Sequence, residues 1–512
     1  MTPPHATLRA VLIPLLFGSA AFGADPHIKP VTPNAMPEAV ALYDLLQDIS
    51  GHFTLTGQHN PPVGGDRNSQ FAAKYIGKYP AVWTTDFGFA KEGDMDSTLN
   101  RPHVVQEAIR QHRLGSIISL CWHAVPPTAD EPVTFRPLPG SDPNLLKSVQ
   151  GRLTDAQFHD ILTPGTPLYD HWAAQVDVIA GYLRQLQDAH VPVIWRPYHE
   201  MNGEWFWWGG RTEGADTTAA LYRQLFDRFV NRDHLTNLIW LWSMDRIHKP
   251  AQEHFKYFPG TEYVDVLGLD VYQNDFAQSY YDSLVKLSQG KPLALAEVGT
   301  PPVPDILEKQ PLWTYYSIWS GMVHNTTKSQ FALMMSSPRM LGLNDAAFVA
   351  ATAPYRAACG LPPVQVELPR PSFSGTWVLN GEASSFGLNG AGRAASRIVL
   401  EQLGDVLTVQ STFVREFADD EVTAERHPLD GTETKSEFRN MPRVTTASWS
   451  ADRGSIVMSS VTDIPSGPQG TKIKSEETWM LVDHGDRLSI HRISDSFQGP
   501  GKTEQTLIFD RR

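Results

Sequence analysis

The chain has 512 residues, 41% hydrophobic and 19% charged, a composition of folded globular domains with length enough for two or three of them. Its formal net charge is −13 and it contains no dense basic run, which argues against nucleic acid as a partner. Two cysteines, Cys121 and Cys359, do not make a disulfide framework, and no Cys/His spacing suggests a zinc site. No metal and no cofactor is expected.

In chain order, Arg9 precedes an apolar run over 10–22, and the small residues Ala21, Gly23 and Ala24 follow. This pattern predicts a secretory signal peptide over 1–24, hence a secreted or periplasmic protein. The run is shorter than the about 20 apolar residues a membrane span needs, so no membrane insertion is expected. A helix over 39–49 follows, with Leu42, Leu45, Leu46 and Ile49 on one side. Strands are predicted over 53–57, 81–86, 115–122, 191–195, 238–242, 264–271, 293–297 and 331–336, and helices over 104–113, 172–188, 219–231 and 280–287. Alternating strands and helices imply a parallel sheet, and eight strands in about 300 residues imply a (β/α)₈ barrel over 30–358. Polar residues collect at the C-terminal strand ends, where such barrels carry their chemistry: Gln58, His59, Asp86, Trp122, His123, His199, Glu200, Ser243, Asp245, Asp270, Tyr272 and Glu297. Cys121, within the apolar SIISLCW, reads as a buried free thiol. Trp240 and Trp242 alternate with apolar residues, so at least one of them is packing.

The segment 359–372 holds four prolines and reads as a semi-stiff linker. Beyond it, over 373–512, short period-2 runs with turn residues between them predict an antiparallel all-β barrel or sandwich of unassigned function. The runs fall at 376–379, 397–403, 406–412, 443–449, 455–461, 478–482, 487–493 and 504–509. Gly375-Thr376-Trp377 weakly resembles the lipocalin G-x-W signature. A tryptophan plugging the bottom of any small barrel is the preferred reading.

The most informative stretch is VPVIWRPYHEMNGEWFWWGG, 191–210. A short apolar strand ends in Arg196, His199, Glu200, Asn202 and Glu204 beside Trp205, Phe206, Trp207 and Trp208. Charge is costly to bury unpaired and indoles are costly to expose. A sugar cleft uses both, with carboxyl and imidazole groups for hydroxyls and protons and flat aromatic faces for pyranose rings. The string resembles the end of strand 4 in glycoside hydrolase family 26, the β-mannanase family of the retaining (β/α)₈ clan, and the likeness covers about residues 36–345.

That resemblance implies Glu200 as the general acid/base. LALAEVG, ending in Glu297, resembles the clan's strand-7 nucleophile motif, and hydrolysis by the common route needs two such carboxyls. Arg196 is expected to hold Glu297 ionised, and Tyr272 to donate to it. His199 is expected near the sugar 2-hydroxyl or beside Glu200. His123 resembles a residue lining the reacting-sugar subsite, Trp205 a stacking residue, and Trp122 a weaker substrate contact. The substrate implied is a mannan-type polysaccharide, cleaved by a monomer acting in endo mode. The alternatives are a family 26 β-glycanase acting on xylan or mixed-linkage glucan, and a catalytically dead glycan-binding protein. One departure stands out. The family usually carries a Trp at the end of strand 8, and the run over 331–339 has none; either a loop aromatic such as Trp313 or Trp319 replaces it, or that floor is missing.

Overall fold

The computed structural model describes residues 27–88, 97–142, 145–364, 372–387, 394–415, 419–450, 454–464, 471–496 and 501–512. The expected signal peptide and residues 365–371 of the expected linker lie outside the described residues.

The first unit is a closed parallel barrel. Its strands are β1 (Gly57–His59), β2 (Val82–Asp86), β3 (Ile117–Trp122), β4 (Val193–Pro197), β5 (Leu238–Asp245), β6 (Val266–Val271), β7 (Leu293–Val298) and β8 (Trp313–Ile318). Each pairs with the next, and β8 also pairs with β1 through Gln58 and Ile318, so these eight close into a ring, with the two-residue strands Thr54–Leu55 and Met340–Leu341 attached beside β8. Every residue of the eight strands is buried, and β3, β5, β6 and β7 accordingly read as near-continuous apolar runs rather than alternating ones. Among the described residues ten α-helices accompany them, α1 (Pro37–Ile49), α2 (Arg67–Ile76), α3 (Ser97–Leu114), α4 (Asp155–Leu162), α5 (Pro167–Asp188), α6 (Thr218–Asp227), α7 (Gln278–Ser288), α8 (Pro304–Lys309), α9 (Lys328–Met335) and α10 (Ala346–Ala358). α5 starts where its sequence says it should: Thr166 accepts from Tyr169 N at 3.2 Å, and Pro167 supplies a first helical residue that needs no N–H partner.

Two packing layers hold the unit. One joins the helices to the outward residues of the strands; Trp240, fully buried, packs on Tyr222, Phe226 and Phe229. The other joins α1 and α10 to Val82, Ile117, Ile194, Leu241 and Val266. Both Trp240 and Trp242 are therefore packing residues.

Strand 8 is not where the sequence pattern puts it. Residues 331–335 lie on α9 and Ser336 caps its end, while its start is a reciprocal cap: Gln330 N donates to Thr327 Oγ1 at 3.3 Å, and Thr327 N donates to Gln330 Oε1 at 2.7 Å. Phe331 and Met334 are buried while Leu333 is half exposed, a helical spacing. The true eighth strand is WTYYSI, 313–318, and Trp319 follows it directly. The tryptophan expected at the end of strand 8 is thus present, and the departure inferred from 331–339 is withdrawn.

The second unit is an antiparallel barrel of ten strands: β9 (Gly375–Leu379), β10 (Arg397–Leu403), β11 (Val406–Phe413), β12 (Glu421–Pro428), β13 (Asp430–Phe438), β14 (Met441–Trp449), β15 (Ser455–Asp463), β16 (Lys472–Val482), β17 (Arg487–Asp495) and β18 (Lys502–Arg511). β9 pairs with both β10 and β18, and the ladder ends at β12 and β13, which adjoin without pairing. The barrel is closed except at that seam. Trp377 is fully buried, donates to Phe373 O at 3.0 Å and lies under the Arg511 guanidinium at 4.5 Å, as expected of a barrel-end plug.

Candidate active site

Register brings the polar strand ends together. Asp86 pairs with Cys121, Cys121 with Arg196, Asp245 with Asp270, and Asp270 with Glu297 across successive strands. Just past β4 the chain turns through left-handed backbone at Tyr198 and Glu200, with φ of 47° and 50°, conformations rare for non-glycine residues and concentrated at working sites. The turn is tied down by Glu200 N donating to Ser243 O at 3.0 Å. It delivers Glu200 to the mouth of the barrel opposite Glu297.

Nearest carboxylate oxygens of Glu200, Asp270 and Glu297 lie within 4.8 Å of one another, all buried. Arg196 serves this cluster. Its Nε donates to Ser243 Oγ at 2.8 Å, its Nη1 to Cys121 Sγ at 3.2 Å and its Nη2 to Asp270, and Nη2 stands 3.0 Å from Glu297 Oε2. Burial disfavours the guanidinium charge, but Asp270 and Glu297 hold it in place. Tyr272 donates its hydroxyl to Glu297 Oε1, and Trp205 Nε1 donates to Glu200 Oε2 at 2.7 Å. Glu297 Oε2 accepts no hydrogen bond. One cation among three buried carboxyls cannot keep all of them ionised. Burial, then Asp270 and Glu297, push the Glu200 carboxyl well above its ordinary range; burial likewise raises Asp270.

A second layer of rings lies beside the carboxyls. His123 and His199 meet edge to face at 4.4 Å, and His123 Nδ1 is 2.6 Å from Asp86 Oδ2. Burial pushes Asp86 up, but His123 outweighs it and holds the carboxyl below its usual range. Burial, then Arg196, keep His199 neutral. Trp319 lies 5.7 Å from His123 and stacks on His59 at 4.2 Å, so strand 8 does contribute an indole to this wall.

Of the residues named from sequence, Arg196, Glu200, Glu297, Tyr272, His199, His123 and Trp205 converge here. Trp122 does not present an open face: it is 2% exposed and stacks on Trp195. Trp207 and Trp208 are also core. Their indoles donate to Ala124 O and His199 O, both at 2.8 Å, and brace the loop; only Trp205 of the three is partly open. Asp270 was visible as a strand-end acid, but its place between Arg196 and Glu297 follows from register alone. Cys121 is a buried free thiol, as expected, and it lies 3.4 Å from His199 Nδ1.

Two groups among the described residues have metal-ligand spacing: Cys121, His123 and His199, and Glu200, Asp270 and Glu297. Both fit a cation poorly, because Arg196 already sets its positive charge against Cys121 in the first and against Asp270 and Glu297 in the second. A carboxyl pair with one member kept protonated and one accompanied by a cation can deliver a proton from one side and an electron pair from the other.

Such a pair at the C-terminal mouth of a (β/α)₈ barrel, with indoles alongside, defines a glycoside hydrolase scaffold. Comparison narrows this: the model of glycosyl hydrolase family 26 matches residues 31–336, and the chain belongs to that family. A mannan endo-1,4-beta-mannosidase of Thermothelomyces thermophilus is 33% identical over 310 residues, 58% of this chain and 58% of that protein. A Bacillus subtilis mannan endo-1,4-beta-mannosidase is 36% identical over 339 residues, 60% of this chain and 87% of its own length. The chain spans 58% or less of the length of the three curated relatives led by the Thermothelomyces enzyme. Among solved structures, a family 26 protein of a Muricauda species is 37% identical with TM-score 0.56, covering 61% of this chain and 98% of that one. A β-mannanase from a termite's symbiotic protist, complexed with a gluco-manno-oligosaccharide, is 27% identical with TM-score 0.52, covering 63% and 98%.

Proposed function

We propose that the chain is a retaining endo-β-1,4-mannanase, secreted or periplasmic, acting on mannan or glucomannan. The observation that carries the reading is the pairing of Glu200 and Glu297 with different donors: Trp205 on one, Tyr272 on the other. Trp205 fixes Glu200 Oε2 as an acceptor, which leaves Oε1 to carry the proton. Tyr272 fixes Glu297 Oε1, which leaves Oε2 free of hydrogen bonds as the attacking atom. In the first step Glu297 Oε2 bonds to the anomeric carbon while the glycosidic C–O bond breaks, and Glu200 gives its proton to the departing oxygen. In the second, ionised Glu200 takes a proton from water, the water oxygen bonds to the anomeric carbon, and the ester to Glu297 breaks. Carboxyls about 5–5.5 Å apart serve this double displacement, whereas inversion needs about 6.5–9.5 Å; the spacing here, with nearest oxygens within 4.8 Å, fits the former.

The names of the relatives support mannan as the substrate, and Trp319 beside His123 removes the argument that the strand-8 platform is missing. Asp86 orients His123, while His199 and Trp205 flank the reacting sugar. A panel of mannan, glucomannan, xylan, lichenan and carboxymethylcellulose tests the reading, scored by reducing ends and product size. Mixed oligosaccharides from mannan and glucomannan are expected. Activity confined to xylan or lichenan would overturn the substrate, and mannobiose as sole product would overturn the endo mode.

A further inference from the structure

The antiparallel barrel lies outside the family match and encloses a cavity of about 280 Å³. Its lining is part polar and part hydrocarbon. Across β14 to β18 the register sets Arg443 opposite Thr462, Ser460 opposite Ser475, and Arg492 opposite Glu477 and Gln505. Met458, Ile490, Leu507 and Phe509 supply hydrocarbon to the same lining, with Ile490 opposite Leu507. The polar belt is not self-contained. Glu477 is fully engaged, its Oε1 accepting from Arg492 Nε at 2.8 Å and its Oε2 from Trp479 Nε1 at 2.7 Å. Glu425 accepts from Ser436 at 2.5 Å. Among the described residues Arg443 donates to Ser460 Oγ, at 2.9 Å, and lies over the Phe438 ring at 5.2 Å; its Nε and the nearby Ser475 Oγ are buried without a hydrogen-bond partner. Of the three lining guanidinium groups, Arg492 is paired with Glu477 and Arg439 stands 3.9 Å from Glu421, while Arg443 has no carboxylate at ion-pair distance among the described residues.

A half-buried guanidinium whose buried Nε lacks a partner, beside an apolar lining, is a half-finished recognition site, because unmet charged donors are costly and a carboxylate matches the fork. We infer that this barrel binds a small amphipathic organic anion, its carboxylate on Arg443 and its apolar body against Met458, Ile490, Leu507 and Phe509. The volume sits near the lower end of the roughly 300–1,000 Å³ common for small-molecule pockets, so the ligand is small. The unpaired seam between β12 and β13, lined by Thr423, Glu425 and Arg439, gives the barrel a side opening. A neutral sugar would find too few hydroxyl partners along the hydrocarbon part of the lining.

The test is isothermal titration of the intact chain with sodium decanoate, decan-1-ol and mannotriose. One decanoate site is expected, unaffected by saturating mannotriose, with decan-1-ol at least tenfold weaker. Arg443→Met should weaken decanoate at least tenfold, with a melting curve confirming the fold. Absence of decanoate binding, decan-1-ol binding as tightly, displacement by mannotriose, or a folded Arg443→Met that binds unchanged would each overturn the proposal. Should Arg443→Met not fold, the comparison of acid and alcohol on the unaltered chain decides.

Discussion

At the scale of single residues, the site is a problem of unequal environments imposed on like groups. Arg196 and Tyr272 attend Glu297, while Glu200 has an indole N–H and two acidic neighbours. Removing the Tyr272 hydroxyl as Tyr272→Phe should cost about 1.5–3 kcal/mol at a charged acceptor, roughly a 10- to 100-fold fall in kcat, with little change in KM. An unchanged kcat would mean Tyr272 only packs. The raised Glu200 carboxyl carries a stability consequence. Above the ordinary value of 4.5 the unfolded chain releases this proton and the folded chain keeps it, so stability falls as pH rises from 4.5 towards the raised value. Glu200→Gln, inactive on polysaccharide, should therefore melt above the parent at pH 8, with the gap closing towards pH 4. A gap independent of pH would contradict the assignment. Glu297 was legible as the lone acid ending an apolar strand, and Glu200 through the string of charged and aromatic residues around it. Asp270 was not legible as their neighbour, since its meaning depends on strand register. The resemblance singled out Trp205, which meets Glu200, but that Trp207 and Trp208 hold backbone carbonyls instead of lining the cleft follows from the fold.

At the scale of elements, misreadings came from segments whose burial breaks the usual pattern. WTYYSI is buried on both faces and carries Thr314 and Ser317, so it lacks both the alternation and the apolar continuity that mark a strand. FALMM nearby has that continuity and is helical because Thr327 and Gln330 cap its start. Thr327→Ala should cost about 1 kcal/mol of stability, read as a lower denaturation midpoint, while leaving turnover intact. A silent substitution would imply that packing alone fixes α9. In the second unit, β12 and β13 passed unnoticed because their inward residues include Glu425, His427 and Ser436, polar groups that face a cavity rather than a packed core.

At the scale of the molecule, the barrel and the antiparallel unit each have a core. The cluster of Trp377, Ile456, Leu488 and Phe509 is distinct from the two clusters of the parallel barrel. A chain ending near Gly360 should consequently fold and hydrolyse soluble mannan at a rate near that of the whole, judged by circular dichroism and reducing ends. An insoluble or inactive fragment would show that the second unit completes the first. The reaction itself supplies the most direct check on the two-glutamate account. Proton NMR of mannohexaose hydrolysis, recorded before mutarotation, should reveal the β anomer as the first-formed reducing end, as two successive displacements at one carbon require. A first-formed α anomer would contradict the account, because it would place water, not Glu297, at the anomeric carbon in the first step.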